Sequence, residues 1–174
     1  MVSKKALLII DMLNDFVRED GALYVGPDGK RIVPKIQEEI EKARKSGIPV
    51  IYICDNHRED DAEFNMFPPH CIKGTEGSEV IKELEPAPGD YIIPKRRYSA
   101  FFGTDLDALL RELGVEELIL TGVCSNICVL YTAADARMRN YRVTVVKDGV
   151  ASFKEEVHRF ALQEMESTLG VVIK

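Results

Sequence analysis

The sequence predicts an α/β fold: a three-layer α/β/α sandwich around a central, mostly parallel, six-stranded sheet, with residues 1–174 forming one domain. Three observations carry this expectation. Six short apolar runs rich in β-branched residues recur along the chain, amphipathic helical patterns separate them, and the runs are apolar almost without a break. A parallel neighbour is reached only through a long crossover, so strands alternating with helices imply parallel pairing. Strands covered by helices on both faces have no polar side to show. A length of 174 residues with 45% hydrophobic and 30% charged side chains suits a single core of this size.

The elements follow in order. "KALLIIDM" (5–12) reads as the first strand, and "IVPKIQEEIEKARKSG" (32–47) as a helix that stops at Gly47. "IPVIYICD" (48–55) and "DYIIPK" (90–95) are the next two strands. Between them lies the longest stretch without a clear element, roughly 55–79, rich in polar residues, proline and glycine; a loop of that length in a compact domain tends to be functional or disordered. "TDLDALLRELGV" (104–115) is a second helix ending on a glycine. "EELILTG" (116–122) and "YRVTVVKDG" (141–149) are strands, "SFKEEVHRFALQEMEST" (152–168) is a helix opened by a serine cap signal, and "GVVIK" (170–174) is the last strand.

A net charge of −6 argues against a nucleic-acid footprint or an anionic membrane surface, and the basic cluster "KRR" at 95–97 is short enough to be a solvated patch. No apolar run approaches the roughly 20 residues that span a bilayer, and the N-terminal apolar stretch runs straight into an acid, unlike a secretory signal. The expected location is cytoplasmic. In that reducing setting Cys54, Cys71, Cys124 and Cys128 are expected as reactive, ligating or buried thiols and not as a disulfide framework.

Open α/β sheets bind ligands beyond the carboxyl ends of their strands. Asp11, Asp55 and Lys95 each follow an apolar strand, and the turn 121–128 follows another. A thiol attacks at neutral pH only where a cation, a helix N-terminus or a base favours the thiolate, and Cys124 and Cys128 compete for that role. Gly122 permits a tight turn, and Ser125 or Asn126 is expected to cap a helix with Cys128 in its first turn. Cys128 is therefore favoured for attack, with the backbone amides of Cys124 and Cys128 as oxyanion donors; a core cysteine and a plain Asp11–Lys95 ion pair are the bland alternatives. Asp55 and His57, two apart in an extended segment, share a side of the chain, and His70 arrives from the far end of the loop, so two imidazoles and a carboxylate form a candidate metal set.

"IIDMLNDF", "PKRRYSAFFGTDLDALLRELGV" and "LTGVCSNICVLYTAADARMRNYRVTVVKDGVAS", taken together and in order, resemble the isochorismatase-like cysteine hydrolases over nearly the whole chain. That resemblance implies an aspartate–lysine–cysteine triad at Asp11, Lys95 and Cys128, and a cis peptide between Val123 and Cys124. Asp11 would take the thiol proton and pass it to a leaving amine, while the Lys95 ammonium would favour the thiolate. Within the superfamily "DNH" with "FPPHCIKGTEG" is similar to the metal loop of nicotinamidases, and Glu63, seven residues before His70, stands where some bacterial members carry a further ligand. The chain departs from that pattern in having no tryptophan, Asn56 inside the motif and Phe67 before the prolines.

The implied cofactor is one divalent ion bound by Asp55, His57, Glu63 and His70, zinc first, with manganese or iron as alternatives. Phe16, Phe67 and Tyr98 are candidates to sandwich a flat ring. The activity so implied is hydrolysis of nicotinamide, or an analogue such as pyrazinamide, to the acid and ammonia through a thioester, a step of NAD salvage. A family member acting on another small amide, ureide or vinyl ether is the near alternative. A two-histidine iron oxygenase and a non-catalytic small-molecule or partner-binding module stand further off. An exposed strand edge or helix face would support a homo-oligomer.

Overall fold

The computed structural model describes residues 4–174. From the N-terminus it runs β1 (Lys5–Ile10), α1 (Asn14–Val17), α2 (Pro27–Arg31), α3 (Val33–Lys45), β2 (Val50–Asp55), β3 (Tyr91–Lys95), α4 (Leu106–Glu112), β4 (Glu117–Val123), α5 (Leu130–Met138), β5 (Arg142–Ala151), α6 (Glu155–Ser167) and β6 (Val172–Ile173). All six strands join one parallel sheet in the order β3-β2-β1-β4-β5-β6. The chain winds outward in one direction from β1 and in the other from β4, so the crevice between these two central strands is the switch point at which such sheets receive ligands.

Alternation along β1 explains the three layers. Ala6, Leu8 and Ile10 enter one apolar cluster with Leu106 and Leu110 of α4, Ala133 and Ala136 of α5, and Leu162 and Met165 of α6. Leu7 and Ile9 enter the other, with Phe16 of α1 and Ile36 and Ile40 of α3. Because successive side chains point to opposite faces, a strand buried on both must be apolar along its length, and β1 and β2 are, apart from Lys5 at the start of one and Asp55 at the end of the other. The helices α1 and α2, of four and five residues, were not foreseen; they are too short to display a helical period.

The 55–79 segment is ordered. His57 bridges Ile72 across the loop, short 3₁₀ turns form at Ala62–Asn65 and Glu76–Ser78, the Asn56 N–H donates to the Lys95 carbonyl at the loop's start, and Val80 bridges Leu13 at its end. Among the described residues no helix is long and apolar enough to cross a membrane.

Candidate active site

Strand register assembles the first cluster. Asp55 and Lys95 are lateral partners at the ends of β2 and β3, and Asp11 leaves β1 with a left-handed φ of 53°. Its backbone N–H donates to the Ile53 carbonyl at 2.8 Å, and its Oδ1 accepts the Asp55 N–H at 2.9 Å. Lys95 Nζ lies 2.9 Å from Asp11 Oδ2, donates to Asp55 Oδ1, and is 3.4 Å from Cys128 Sγ. All four side chains are buried. One atom of each of Asp11, Asp55 and Cys128 falls within 4.8 Å of the others, and Asp11 Oδ2, although at ion-pair distance from Lys95, has no aligned hydrogen-bond donor.

The electrostatics follow from burial. Desolvation and the neighbouring Asp55 charge raise the Asp11 carboxyl to about 6, against the pull of Lys95. Burial pushes the Cys128 thiol well up, Lys95 draws it back, and the two carboxylates add to the rise. The Lys95 ammonium opposes its own desolvation with two acids and stays charged. The other thiols are raised mainly by burial, Cys54 and Cys124 to about 12 and Cys71 beyond. Among the described residues, Cys128 alone of the four thiols has an ammonium within hydrogen-bond reach.

The Val123–Cys124 peptide is cis, as the resemblance implies. The helix start differs from expectation: Ser125–Val129 forms one wide π turn before α5 begins at Leu130. Neither Ser125 nor Asn126 caps a helix here. Both side chains point away from the turn: Ser125 Oγ meets His158 Nδ1 of α6 at 2.9 Å, and Asn126 Oδ1 accepts from the Ser152 hydroxyl. The Cys124 carbonyl instead gathers the Ile127 and Val129 N–H groups, at 3.0 and 3.1 Å. His158, which reads in sequence as an ordinary helical residue, thus braces the turn. Gly122 is required on steric grounds: φ is +109°, and a Cβ would stand 2.0 Å from the Ile10 carbonyl oxygen.

Beside this cluster, His57 Nε2 lies 3.5 Å and His70 Nε2 3.8 Å from Asp55 Oδ2, while Glu63 Oε1 is 3.9 and 4.0 Å from the same two nitrogens. The distal nitrogens define the tautomers. His70 Nδ1 is 2.7 Å from the Pro68 carbonyl and His57 Nδ1 3.1 Å from Asp61 Oδ2. An acceptor at each Nδ1 places the proton there and leaves Nε2 as a lone pair, the arrangement that metal-ligating histidines use. His57 Nε2 is buried with no hydrogen-bond partner. Burial lowers the His70 pKa toward the neutral form, whereas for His57 burial is outweighed by the neighbouring carboxylates of Asp55 and Asp61, which raise it, so an ion at Nε2 would take the place of a proton there. The residues therefore fit a divalent ion, and two nitrogens with two carboxylates suit zinc, manganese or ferrous iron. Cys71 Sγ faces the Gly77 carbonyl at 3.8 Å, away from the set.

The aromatic residues reach the cleft in a different arrangement from a sandwich. Phe67 and Tyr98 meet edge to face, with ring centroids 6.4 Å apart at 85°, so no flat ring fits between them; two parallel faces would be needed. Phe16 packs on His70 at 5.4 Å. All three line the cleft together with Leu23, Ile127 and Phe153, none of which the sequence singled out. The free space is about 20 Å³, room for a water, and Phe153, 37% exposed, is the most exposed of the lining residues.

Residues 5–174 match the family model described as the isochorismatase domain. The chain belongs to the isochorismatase family. This isochorismatase-family hydrolase is 43% identical over 180 residues to an uncharacterized isochorismatase family protein, PncA, of Bacillus subtilis, with 98% of each chain covered. Among solved structures it is similar to the nicotinamidase/pyrazinamidase PncA of Bacillus subtilis (39% identity, TM-score 0.93, 98% of each chain). It is also similar to the N-carbamoylsarcosine amidase of Thermoplasma acidophilum (40%, 0.91, 98% of this chain and 95% of that one). The pyrazinamidase of Pyrococcus horikoshii, solved in complex with zinc, aligns at 35% identity and TM-score 0.92 over 98% of each chain.

Proposed function

We propose that this hydrolase is a nicotinamidase-type amidase, converting nicotinamide or pyrazinamide to the acid and ammonia as a step of NAD salvage. The observation that carries the reading is a pair of imidazoles each with an acceptor at Nδ1: His70, Asp55 and Glu63 line the same cleft as the Cys128 thiol, and His57 Nε2 lies buried 3.5 Å from Asp55 Oδ2. Asp11 takes the thiol proton on Oδ2 and Lys95 steadies the thiolate. Sulfur adds to the amide carbonyl, and the oxyanion turns toward the Cys124 and Cys128 amides. Asp11 returns the proton to the departing nitrogen, ammonia leaves, and Asp11 then draws a proton from the water that opens the thioester. Asp55, His57, Glu63 and His70 would hold a divalent ion, which would supply Lewis-acid character toward the ring nitrogen. Phe16, Phe67 and Tyr98 form walls against the ring and exclude water.

The cleft also bears on the choice among amides. Its charged lining is acidic, Asp11, Asp55 and Glu63, no arginine faces it among the described residues, and Lys95 is committed to two carboxylates. A neutral ring amide suits that lining better than a carbamoyl amino acid such as N-carbamoylsarcosine, whose carboxylate would find no free basic side chain in the lining.

Ammonia release from nicotinamide, pyrazinamide, benzamide and N-carbamoylsarcosine tests the reading. Benzamide keeps the shape and lacks the ring nitrogen; losing that contact costs about 2–4 kcal/mol, roughly a thirtyfold to thousandfold drop in kcat/KM. Equal kcat/KM for benzamide and nicotinamide would remove the metal's role in binding. Preference for the carbamoyl substrate would replace the proposed substrate class.

A further inference from the structure

The triad and ligand roles leave one buried acid without a purpose. Asp61, its side chain 1% exposed, carries three hydrogen-bonding contacts on two oxygens, with Arg96 Nε a further 3.9 Å from Oδ2. Oδ2 faces His57 Nδ1 at 3.1 Å, and Oδ1 accepts from the Arg97 guanidinium at 2.9 Å and from the Glu63 N–H at 3.1 Å. The last contact is an N-cap: it seats the 3₁₀ turn Ala62–Asn65 and so fixes where Glu63 emerges. One carboxylate thus holds two of the four groups that face the common point, one through its ring and one through its backbone.

An imidazole without an acceptor at Nδ1 is free to turn over or change tautomer, and either removes Nε2 from the centre. A buried carboxylate facing only neutral donors would be costly, and Arg97 supplies the compensating charge. Arg97 follows Lys95 by two residues and precedes Tyr98, so the segment leaving β3 delivers an ammonium to the thiol, a guanidinium to Asp61 and a wall to the cleft. The basic cluster that looks like a solvated patch in sequence ties the two halves of the site together.

We propose that Asp61 is a positioning residue for the metal centre, orienting His57 through Nδ1 and seating Glu63 through its N–H, with Arg97 as its counter-ion. This rests on the metal-binding part of the proposed function.

The test uses the metal-stripped full chain, zinc alone as probe, competition with a chromogenic chelator for affinity, and thermal melts of the metal-free proteins. Asp61→Ser keeps a capping oxygen for Glu63 but is too short for His57, and its zinc dissociation constant should rise about 10–100-fold. Asp61→Asn keeps the reach with a single acceptor oxygen, able to serve His57 Nδ1 while its amide nitrogen cannot accept from the Glu63 N–H, and should recover only part of that loss. The metal-free melting temperatures of the two variants should stay together while their zinc affinities separate.

Zinc binding by Asp61→Ser within twofold of the unmodified chain would overturn the proposal, and so would an affinity loss that only tracks a fall in metal-free melting temperature. If the serine variant does not fold, Arg97→Leu leaves the carboxylate in place without its hydrogen-bonded counter-ion and with only the more distant Arg96 beside it; unchanged zinc affinity there also overturns it. Failure of the unmodified chain to bind zinc would instead strike the metal reading itself, and this inference with it.

Discussion

Replacing Lys95 with methionine removes the one cation among Asp11, Asp55 and Cys128 while keeping the side chain's length and bulk. At 2.9 Å and an effective dielectric near 20, the contact with Asp11 is worth about 6 kcal/mol before the ammonium's own desolvation is subtracted. Leaving a buried charge without its partner costs about 3–5 kcal/mol net, and the full burial of both groups calls for no discount for solvent. For a domain of this size each kcal/mol lowers Tm by roughly 2–4 °C, so the metal-free Lys95→Met protein should melt about 6–20 °C below the unmodified one near neutral pH.

The deficit should also depend on pH with a definite sign. Asp11 already stands at about 6, and without the ammonium its folded pKa rises further above the unfolded value. An acid raised in this way contributes stability that is present at low pH and lost as pH rises through the folded pKa. The variant should therefore approach the unmodified protein below about pH 6 and fall away above it. Thermal melts in chelator across that range are the assay. A deficit under about 1 kcal/mol, or one that stays constant with pH, would refute the view that Lys95 holds these acids in their charged state.

Cys128→Ala should abolish turnover, whereas Cys124→Ala should keep most of it, since only its backbone amide is used; steady-state ammonia release separates them. A His57→Ala, His70→Ala double variant should lose its bound metal in elemental analysis and still allow iodoacetamide to label Cys128. Gly122→Ala should lose about 2–6 kcal/mol in urea denaturation, from positive φ and the Cβ set against the Ile10 carbonyl oxygen. Nicotinaldehyde should inhibit, because Cys128 adds to its carbonyl and no leaving group departs.

Pattern along the chain was enough for the fold class and the six strands, because a strand buried on both faces must be apolar at nearly every position and β1 and β2 are. It also put Asp11, Asp55 and Lys95 at strand ends, the rim at which a parallel sheet opens to ligands. Those are local properties, readable in a window of a few residues. The strand order is not, since it depends on which crossovers pack together, and it is the order that sets Asp55 beside Lys95 and brings β1 against β4 at Gly122.

Side-chain direction was equally hidden. Ser125 and Asn126 carry a cap signal, yet Ser125 turns to His158 of α6 and Asn126 to Ser152, partners distant in the chain that outcompete the local bond. Asp61 looks like one acid in the run "REDD", and Arg97 like one base in "KRR". Each became part of the site only when the fold brought them to 2.9 Å across 36 residues. The sequence by itself determined which residue types stand at the rim, because burial dictates composition position by position. The tertiary structure decided which of them touch, because ion pairs, tautomers and ring orientations are set by neighbours that arrive from elsewhere in the chain.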